Sequence, residues 1–201
     1  ITEMPGASGQ VAFDSSQVGS LIGNSSLILL ALTLFVYVAC EVGVWNWLVR
    51  HLIAQGLPES KALTILSLGF ALGLLLGRVA VSPILSSVSP ERVLAGSAAL
   101  MAITTFMMLQ SANPGMAQIL VFLAGIAMAP VFPTTLAVVG ARFTNMAATA
   151  TGIAVTAGWF GLVVSSPIIG GIAGDDPKGL KKALLLLPAA SIVMLVVCLA
   201  L

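Results

Sequence analysis

The sequence predicts an all-α polytopic membrane protein with six transmembrane helices, and two observations carry that prediction. Charged side chains make up only 7% of its 201 residues, whereas a water-soluble domain devotes about 25% to them. Hydrophobic residues reach 59%, and they are gathered into six apolar stretches of the roughly 20 residues that a transmembrane helix needs. Because backbone amides have no water partner inside a bilayer, such stretches fold as helices.

Composition also excludes several other classes of protein. A formal net charge of +1 leaves no basic face for nucleic acid. Intrinsic disorder requires low hydrophobicity and a high net charge, and this chain has neither. Cys40 and Cys198 both lie in apolar runs, so the sequence predicts neither a disulfide framework nor a metal site built from cysteine.

Short polar stretches that contain Pro or Gly separate the first four predicted helices. The first helix closes at Arg50 and His51, and Gly56-Leu57-Pro58 forms the turn into the second. Ser89-Pro90 opens the third helix and Asn113-Pro114 the fourth, because proline suits the first turn of a helix.

The last two predicted helices follow loops at Thr144–Ala147 and Asp175–Gly179. The six predicted helices cover about residues 25–48, 62–85, 93–109, 116–141, 148–173 and 182–201. Together they define one predicted transmembrane bundle over residues 25–201.

The two ends of the chain differ in composition from the bundle. Residues 1–24 are small and polar, with Glu3 and Asp14 among them, and this composition predicts a linker. No basic stretch precedes an apolar one there, as a signal peptide would require. The sixth helix stops inside the apolar run Val193–Leu201. We therefore expect a piece of a longer polypeptide, the alternative being a complete six-helix protein.

A faint internal repeat relates the second predicted helix to the fifth. Gly77-x4-Ser82-Pro83 recurs as Gly161-x4-Ser166-Pro167, which matches helices one to three with helices four to six. Since each unit has an odd number of helices, the two units would insert in opposite senses. That is the inverted-repeat plan of secondary transporters.

Glu41 lies about midway through the first predicted helix, whereas most other charges sit in loops or at helix ends. An ionised carboxylate that faces lipid at that depth is costly, so the side chain must face protein or water, or be protonated. Burial favours the protonated form, which suits a proton carrier. The alternative is a structural glutamate held by hydrogen bonds.

Aromatic residues flank Glu41 on its own helix. Tyr37 and Trp45 lie four residues on either side of it and therefore share its face. This pattern suits a sugar, whose hydroxyl groups need polar partners and whose C–H faces pack on aromatic rings. Asn46 and Trp47 turn away from that face; we count Asn46 among the candidate solute ligands and interpret Trp47 as an interface anchor.

Pro130 and Pro133 interrupt the fourth predicted helix, because proline cannot donate a backbone hydrogen bond. Carbonyl groups freed at depth are tolerated where they are buried in protein or line a cavity. Thr134 and Thr135 either bind the solute or repair those carbonyls.

Small residues mark two further helices. In the fifth, Gly158 and Gly161 allow close helix approach, and Trp159 between them either projects into a cavity or packs in the core. In the second, a stripe of glycines with a spacing of four residues predicts a helix-packing face, at Gly69, Gly73 and Gly77.

Several blocks, in order along the chain, resemble the C-terminal six-helix half of major facilitator superfamily transporters, in particular the fucose/glucose/galactose–proton symporter branch. The blocks are Phe35–His51, Leu76–Arg78 with Pro90–Leu94, Val131–Leu136, and Gly158–Gly161 with Ser166–Gly170. The resemblance covers roughly residues 30–175. The first block is its most specific part, because the glycine-rich blocks are shared across the superfamily.

The resemblance implies a twelve-helix fold of two six-helix bundles around a central cavity, working by alternating access. This chain would supply the second bundle as two inverted three-helix repeats in a bacterial cytoplasmic membrane. The loops after the second and fourth helices would then face the cytoplasm, although the count of basic residues alone favours the opposite orientation. Carried over by position, the cavity would be lined by Tyr37, Glu41, Trp45, Pro133 and Thr134. The cytoplasmic gate would hold Gly77, Arg78, Glu91 and Arg92.

Taken together, residues and resemblance predict a secondary active transporter that moves a small neutral solute, a monosaccharide, together with a proton. Glu41 either carries that proton or hydrogen-bonds the sugar hydroxyls. The expected partners are the solute, protons, the bilayer and an N-terminal six-helix half. The sequence lacks the motifs of an enzyme and calls for no cofactor or metal. Alternatives are a half-size transporter that pairs with a separate six-helix chain, and a membrane receptor or assembly factor that does not transport.

Overall fold

The computed structural model describes residues 15–111, 113–174 and 177–201, and within these residues the chain is helical with no strand. Six helical spans are long and apolar enough to cross a membrane, as the composition predicts. In chain order, spans 1 to 6 are Ser25–Ala54, Glu59–Leu85, Pro90–Gln110, Pro114–Arg142, Thr144–Ala173 and Lys178–Leu199.

Two predicted connecting segments fall partly outside the described residues. Of the predicted linker, residues 1–14 lie outside them, and the rest includes a short helix at Ser15–Ile22. In the predicted loop before span 6, Asp175 and Asp176 also lie outside the described residues.

The ends of span 1 have identifiable local causes. Asn24 caps the start, because its side-chain oxygen accepts hydrogen bonds from the amides of Ser26 and Leu27. Gly56, with a φ of 92°, turns the chain just after the end, in a conformation that favours glycine. The helix continues to Ala54, past the predicted end at residue 48, because its buried side still carries His51 into the bundle.

Several spans are not continuous α-helices. Span 2 contains a π-helical segment, Ile65–Ala71, between the α-helices Glu59–Thr64 and Leu72–Leu85. Span 4 breaks between Pro114–Met128 and Val131–Arg142, which confirms the interruption predicted from Pro130 and Pro133. Span 5 joins a 3-10 turn, Thr144–Met146, to the α-helix Ala147–Ala173, and span 6 joins Pro177–Leu184 to Leu186–Leu199.

The most extensive contacts join span 1 to span 5 and span 2 to span 4, while span 3 packs about equally on spans 6 and 4. Glycines bring the first pair into backbone contact, because a Cβ on Gly161 would overlap the carbonyl oxygen of Phe35. We call this contact the 1–5 seam. It confirms the close helix approach predicted from the small residues of span 5.

The second pair has a similar 2–4 seam, formed by the glycine stripe of span 2. A Cβ on Gly73 would overlap the carbonyl oxygen of Phe122, and one on Gly77 would lie 2.6 Å from the Cβ of Ala129. Gly69 packs less tightly, because a Cβ there would lie 3.1 Å from a methyl carbon of Val121. The stripe is therefore a helix-packing face, as its spacing predicts.

Arg142, at the end of span 4, connects three other parts of the bundle. Its guanidinium donates hydrogen bonds to Ser26 Oγ at the start of span 1, to Glu91 Oε1 at 2.8 Å and to the backbone carbonyl of Leu201 at 3.4 Å. Both partners of the Arg142–Glu91 ion pair keep about a third of their side-chain surface exposed. The cluster thus connects the starts of spans 1 and 3 with the end of span 4 and with Leu201.

We expect Arg142→Met to lower the free energy of unfolding by only about 1 kcal/mol or less, because half-exposed ion pairs contribute little. Thermal unfolding of the purified protein in detergent measures the loss, with Arg92→Met as the matched exposed control. A double-mutant cycle with Glu91→Gln isolates the pair. A coupling energy of several kcal/mol would contradict the assignment of a weak, solvent-screened contact.

Candidate functional site

A cavity of about 320 Å³ lies beside span 1 and is bordered by spans 2, 4 and 5. Its walls are mostly aliphatic and aromatic, and two of its lining residues are charged. The residues that line the cavity are Val38, Glu41, Val42, Arg78, Phe132, Val155, Gly158, Trp159 and Leu162. An apolar cavity with a few convergent polar groups is the usual form of a small-molecule site.

Glu41 lies near the middle of span 1, about 24 Å along the helix from Ser25 at 1.5 Å per residue. It is half-buried, and its carboxylate borders the cavity together with the exposed Arg78 of span 2. Among the described residues the ion pair within 4.0 Å is Arg142–Glu91. Glu41 and Arg78 are therefore neighbours at one cavity without a direct ion pair.

The phenol of Tyr37 lies behind the cavity wall. Its ring is fully buried and tilted against the ring of Phe132, with the two centroids 6.4 Å apart. Its hydroxyl group is buried and has no hydrogen-bond partner. A buried polar group without a partner costs about 1–3 kcal/mol, so this corner has unused hydrogen-bonding capacity.

Aromatic surface forms another part of the cavity wall. Trp159 projects from span 5 with 61% of its surface exposed, and Phe132 faces it from span 4 as a lining residue of the same cavity. The carboxylate can accept hydrogen bonds and the guanidinium can donate them. The arrangement therefore offers a polar solute both kinds of partner beside flat apolar surfaces.

The structure separates two of the predicted solute ligands on span 1 from this cavity. Trp45 packs edge-on against the ring of Phe70, with centroids 5.3 Å apart. Asn46 donates a hydrogen bond of 2.7 Å to Ser166 Oγ on span 5. Neither residue borders the cavity that Glu41 lines.

Trp47, interpreted from the sequence as an interface anchor, is half-buried and lies beside Gly170 of span 5. The guanidinium of Arg50 lies over its ring, 5.7 Å from the centroid. Its indole N–H is buried without a hydrogen-bond partner. Trp47 therefore packs between spans 1 and 5, away from the cavity.

Thr134 and Thr135, which follow the break in span 4, have different surroundings. Thr135 donates a hydrogen bond of 2.7 Å to the Val131 carbonyl one turn before it, which is an ordinary side-chain contact inside a helix and not one to a carbonyl freed by the prolines. The Thr134 hydroxyl is buried and has no partner. Pro133 is exposed, and Phe132 is the residue of this segment that borders the cavity.

The four residues assigned to the gate by resemblance occupy different places. Gly77 packs in the 2–4 seam, whereas Arg78 borders the cavity. Glu91 pairs with Arg142 at one end of the bundle. Arg92 is exposed at the start of span 3.

Sequence reasoning missed the cavity positions of Arg78 and Phe132. Arg78 lies inside the second predicted helix, and an ionisable residue within a membrane span is in itself a functional signal. The helical position of Arg78 gives no indication of which neighbouring helix it faces. Phe132 carried no signal of its own, since it stands among other apolar residues.

Two other grooves, of about 360 Å³ each, are less suited to a polar solute. One is lined only by apolar residues, among them Leu21, Ile28 and Phe160. The other is lined by apolar residues together with Cys40 and Ser165. Neither contains a charged side chain, whereas the cavity beside Glu41 is lined by two, and we therefore take that cavity as the candidate functional site.

Comparison of the chain with protein-family models, with curated proteins and with solved structures finds no match.

Proposed function

We propose that the chain is half of a secondary active transporter that moves a small neutral solute, a monosaccharide, together with a proton by alternating access. The proposed solute site is the cavity lined by Glu41, Arg78, Phe132 and Trp159. A second six-helix half, in the same or a separate polypeptide, covers the open side of this cavity. The resemblance adds a bacterial cytoplasmic membrane as the proposed location.

The observation that carries this proposal is a pair of charged side chains on an open face of the bundle. Glu41 is half-buried, Arg78 is exposed, and Trp159 beside them is 61% exposed. A charged group at this depth does not face hydrocarbon; it faces protein or a water-filled cavity. This face is therefore expected to border a polar cavity that other helices close off from lipid.

The pairing of the spans supports the inverted-repeat plan. In an inverted repeat, spans 1, 2 and 3 correspond to spans 4, 5 and 6. The symmetry that exchanges the two repeats therefore converts the pair of spans 1 and 5 into the pair of spans 4 and 2. The same exchange leaves the 3–6 pair in place. Spans 1 and 5 and spans 2 and 4 are the most extensively packed pairs, while span 3 packs about equally on spans 6 and 4. The repeated motif places Gly161 of the 1–5 seam in register with Gly77 of the 2–4 seam.

The chemistry of the cavity supports a polyhydroxylated solute. Glu41 accepts hydrogen bonds from hydroxyl groups, while the ring of Trp159 packs on the C–H face of a sugar. Most of the remaining lining side chains are aliphatic, so a bound solute is held by few polar contacts. Protonation of Glu41 would neutralise its charge, which lowers the cost of closing the cavity around it.

The test is solute flux by the product of the complete reading frame that encodes this chain, reconstituted into proteoliposomes. We expect counterflow of labelled D-galactose, D-glucose or L-fucose, and accumulation when a proton gradient is imposed. Binding of these sugars without flux would favour a receptor instead. Absence of both binding and flux for all three would refute the monosaccharide proposal.

The same reading frame tests the second half. Six further apolar helices encoded with this chain would support a single twelve-helix polypeptide. If only these six are encoded, flux that requires co-expression of a separate six-helix chain would support the half-size alternative.

A further inference from the structure

The groove of about 360 Å³ that contains Cys40 and Ser165 lies between spans 1, 5 and 6. We propose that this groove holds one acyl chain of an anionic phospholipid, and that Lys182 of span 6 binds the phosphate of the same lipid. The inference concerns a different face of the bundle from the candidate solute site and goes beyond the proposed transport. Its test requires no sugar and no flux.

The side chains that line the groove suit a hydrocarbon chain. Its two polar side chains are already hydrogen-bonded within the protein. The Cys40 thiol donates to the Leu187 carbonyl at 3.6 Å, and the Ser165 hydroxyl donates to the Leu162 carbonyl at 3.3 Å. Every other lining side chain is apolar. A polar ligand would give up its hydrogen bonds to water on entering such a groove, whereas an acyl chain has none to give up.

The groove opens at the outer surface of the bundle. Ile168 of span 5 and Val193 of span 6 line it, and about half of each residue is exposed. On span 5, Val164 of the groove comes two residues after Leu162 of the solute cavity, so it points about 200° around the helix from it. The groove and the cavity therefore open on different sides of the bundle, and a second six-helix half over the cavity leaves the groove to lipid.

Lys182 lies where the apolar part of span 6 begins. The 19 residues that follow it, 183–201, carry no charge, and at 1.5 Å per residue they extend about 28 Å as a helix. This length is close to the hydrocarbon thickness of a bilayer, about 30 Å, which places the ammonium group of Lys182 at the level of the lipid headgroups. Lys182 is exposed and forms no ion pair with any described residue.

Lys182 and the groove lie on the same face of span 6. Leu186, Ala189 and Val193 line the groove and follow Lys182 by four, seven and eleven residues, which are spacings that share one helix face. Leu185, at the junction of the two helices of this span, keeps helical φ and ψ angles, so the face continues through it. Since helical side chains lean toward the N-terminus, Lys182 extends from the end of the groove toward the headgroups.

Span 1 adds a second positive charge at this end of the groove. Gly43 lies against Leu187 and Ile169, which line the groove. Arg50 follows about two turns later on span 1 and lies over the ring of Trp47. Spans 5 and 6 contain no acidic residue. Basic residues between transmembrane helices at the headgroup level bind anionic lipids, so the charge at this end complements an anionic phospholipid.

Photolabelling of the full protein in bilayer nanodiscs tests the chain and the headgroup together. The nanodiscs contain equal amounts of phosphatidylglycerol and phosphatidylcholine, and in parallel samples one lipid or the other carries a diazirine on its acyl chain. We expect phosphatidylglycerol to label the peptides around Ile168 and Ala189 about fivefold or more in excess of phosphatidylcholine, because a basic residue near the membrane surface attracts anionic lipid by this order. Equal labelling by the two lipids would overturn the proposal.

Matched lysine variants assign the preference to Lys182. Lys182→Gln should lower the excess about fivefold, because one positive charge is lost. Lys61→Gln removes an exposed lysine from the start of span 2, on the same side of the membrane, and should leave the excess unchanged. An excess that persists in Lys182→Gln, or that falls equally in both variants, would refute the role of Lys182.

A variant that fills the groove tests the position of the chain. Ala189 lines the groove and is exposed, so the ring of Ala189→Phe enters the groove without entering the core, and the excess should be abolished. Ile192→Phe changes a residue that is 55% exposed and lies outside the groove, and it should label as the wild type does. Wild-type labelling in Ala189→Phe would overturn the proposal. So would a groove that no lipid labels and that a cysteine at Ala189 cross-links to another polypeptide.

Discussion

Glu41→Gln is expected to abolish proton-driven accumulation of monosaccharide and to leave sugar exchange intact. Glutamine keeps the size and the hydrogen-bonding carbonyl of the side chain, but it cannot bind and release a proton. A membrane potential of about 100 mV supplies about 2.3 kcal/mol for each coupled proton, which supports about 50-fold accumulation. The variant should therefore bring the accumulation ratio down to about 1.

Uptake into proteoliposomes with and without an imposed gradient measures both activities on one preparation. Glu59→Gln is the matched control, because Glu59 is an exposed carboxylate at the start of span 2. It should accumulate sugar as the wild type does. Loss of both exchange and accumulation in Glu41→Gln would assign Glu41 to sugar binding, and unchanged activity would exclude both roles.

Gly161→Val is expected to prevent correct packing of the bundle. The added side chain would overlap the Phe35 carbonyl oxygen, and a backbone atom cannot rotate away as a side chain can. Overpacking in a well-ordered core costs about 1–3 kcal/mol where side chains adjust, and we expect the upper end of this range or more. Spans 1 and 5 would have to separate, and the part of the cavity wall that these two spans form would open as well.

Size-exclusion profiles and thermal unfolding of the detergent-solubilised protein test this expectation. Gly171→Val is a matched control in the same helix, because a Cβ on Gly171 meets no atom within 4 Å. We expect a monodisperse control and an aggregated or strongly destabilised Gly161→Val. Equal melting temperatures for the two variants would show that the 1–5 seam is not the tight contact described here.

The number and approximate positions of the spans were predictable because they depend on local properties. Apolar length decides whether a segment crosses a bilayer, and a cap such as Asn24 decides where its helix begins. The end of span 1 was less predictable, since burial of His51 depends on neighbouring spans. The π-helical segment in span 2 had no recognised sequence signal.

The candidate site was predictable only in part. Glu41 was identified because a carboxylate in the middle of an apolar helix is costly, and the structure places it at the cavity. Sequence spacing placed Trp45 on the same helix face as Glu41. The structure shows Trp45 packed against Phe70 of span 2, outside the cavity that Glu41 borders. Whether a residue such as Trp159 or Arg78 borders the cavity depends on which helices pack together. The sequence of a single helix does not determine that packing.

The unequal lengths of the spans have a consequence for the membrane in which the protein works. Spans 1 and 5 contain 30 residues each and span 3 contains 21, or about 45 Å and 32 Å of helix. A hydrocarbon core of about 30 Å fits span 3 nearly upright, whereas the longer spans must tilt or extend into the headgroup region. A thinner bilayer increases that tilt, so lipid chain length is expected to tune the angle between the bundle and the membrane normal.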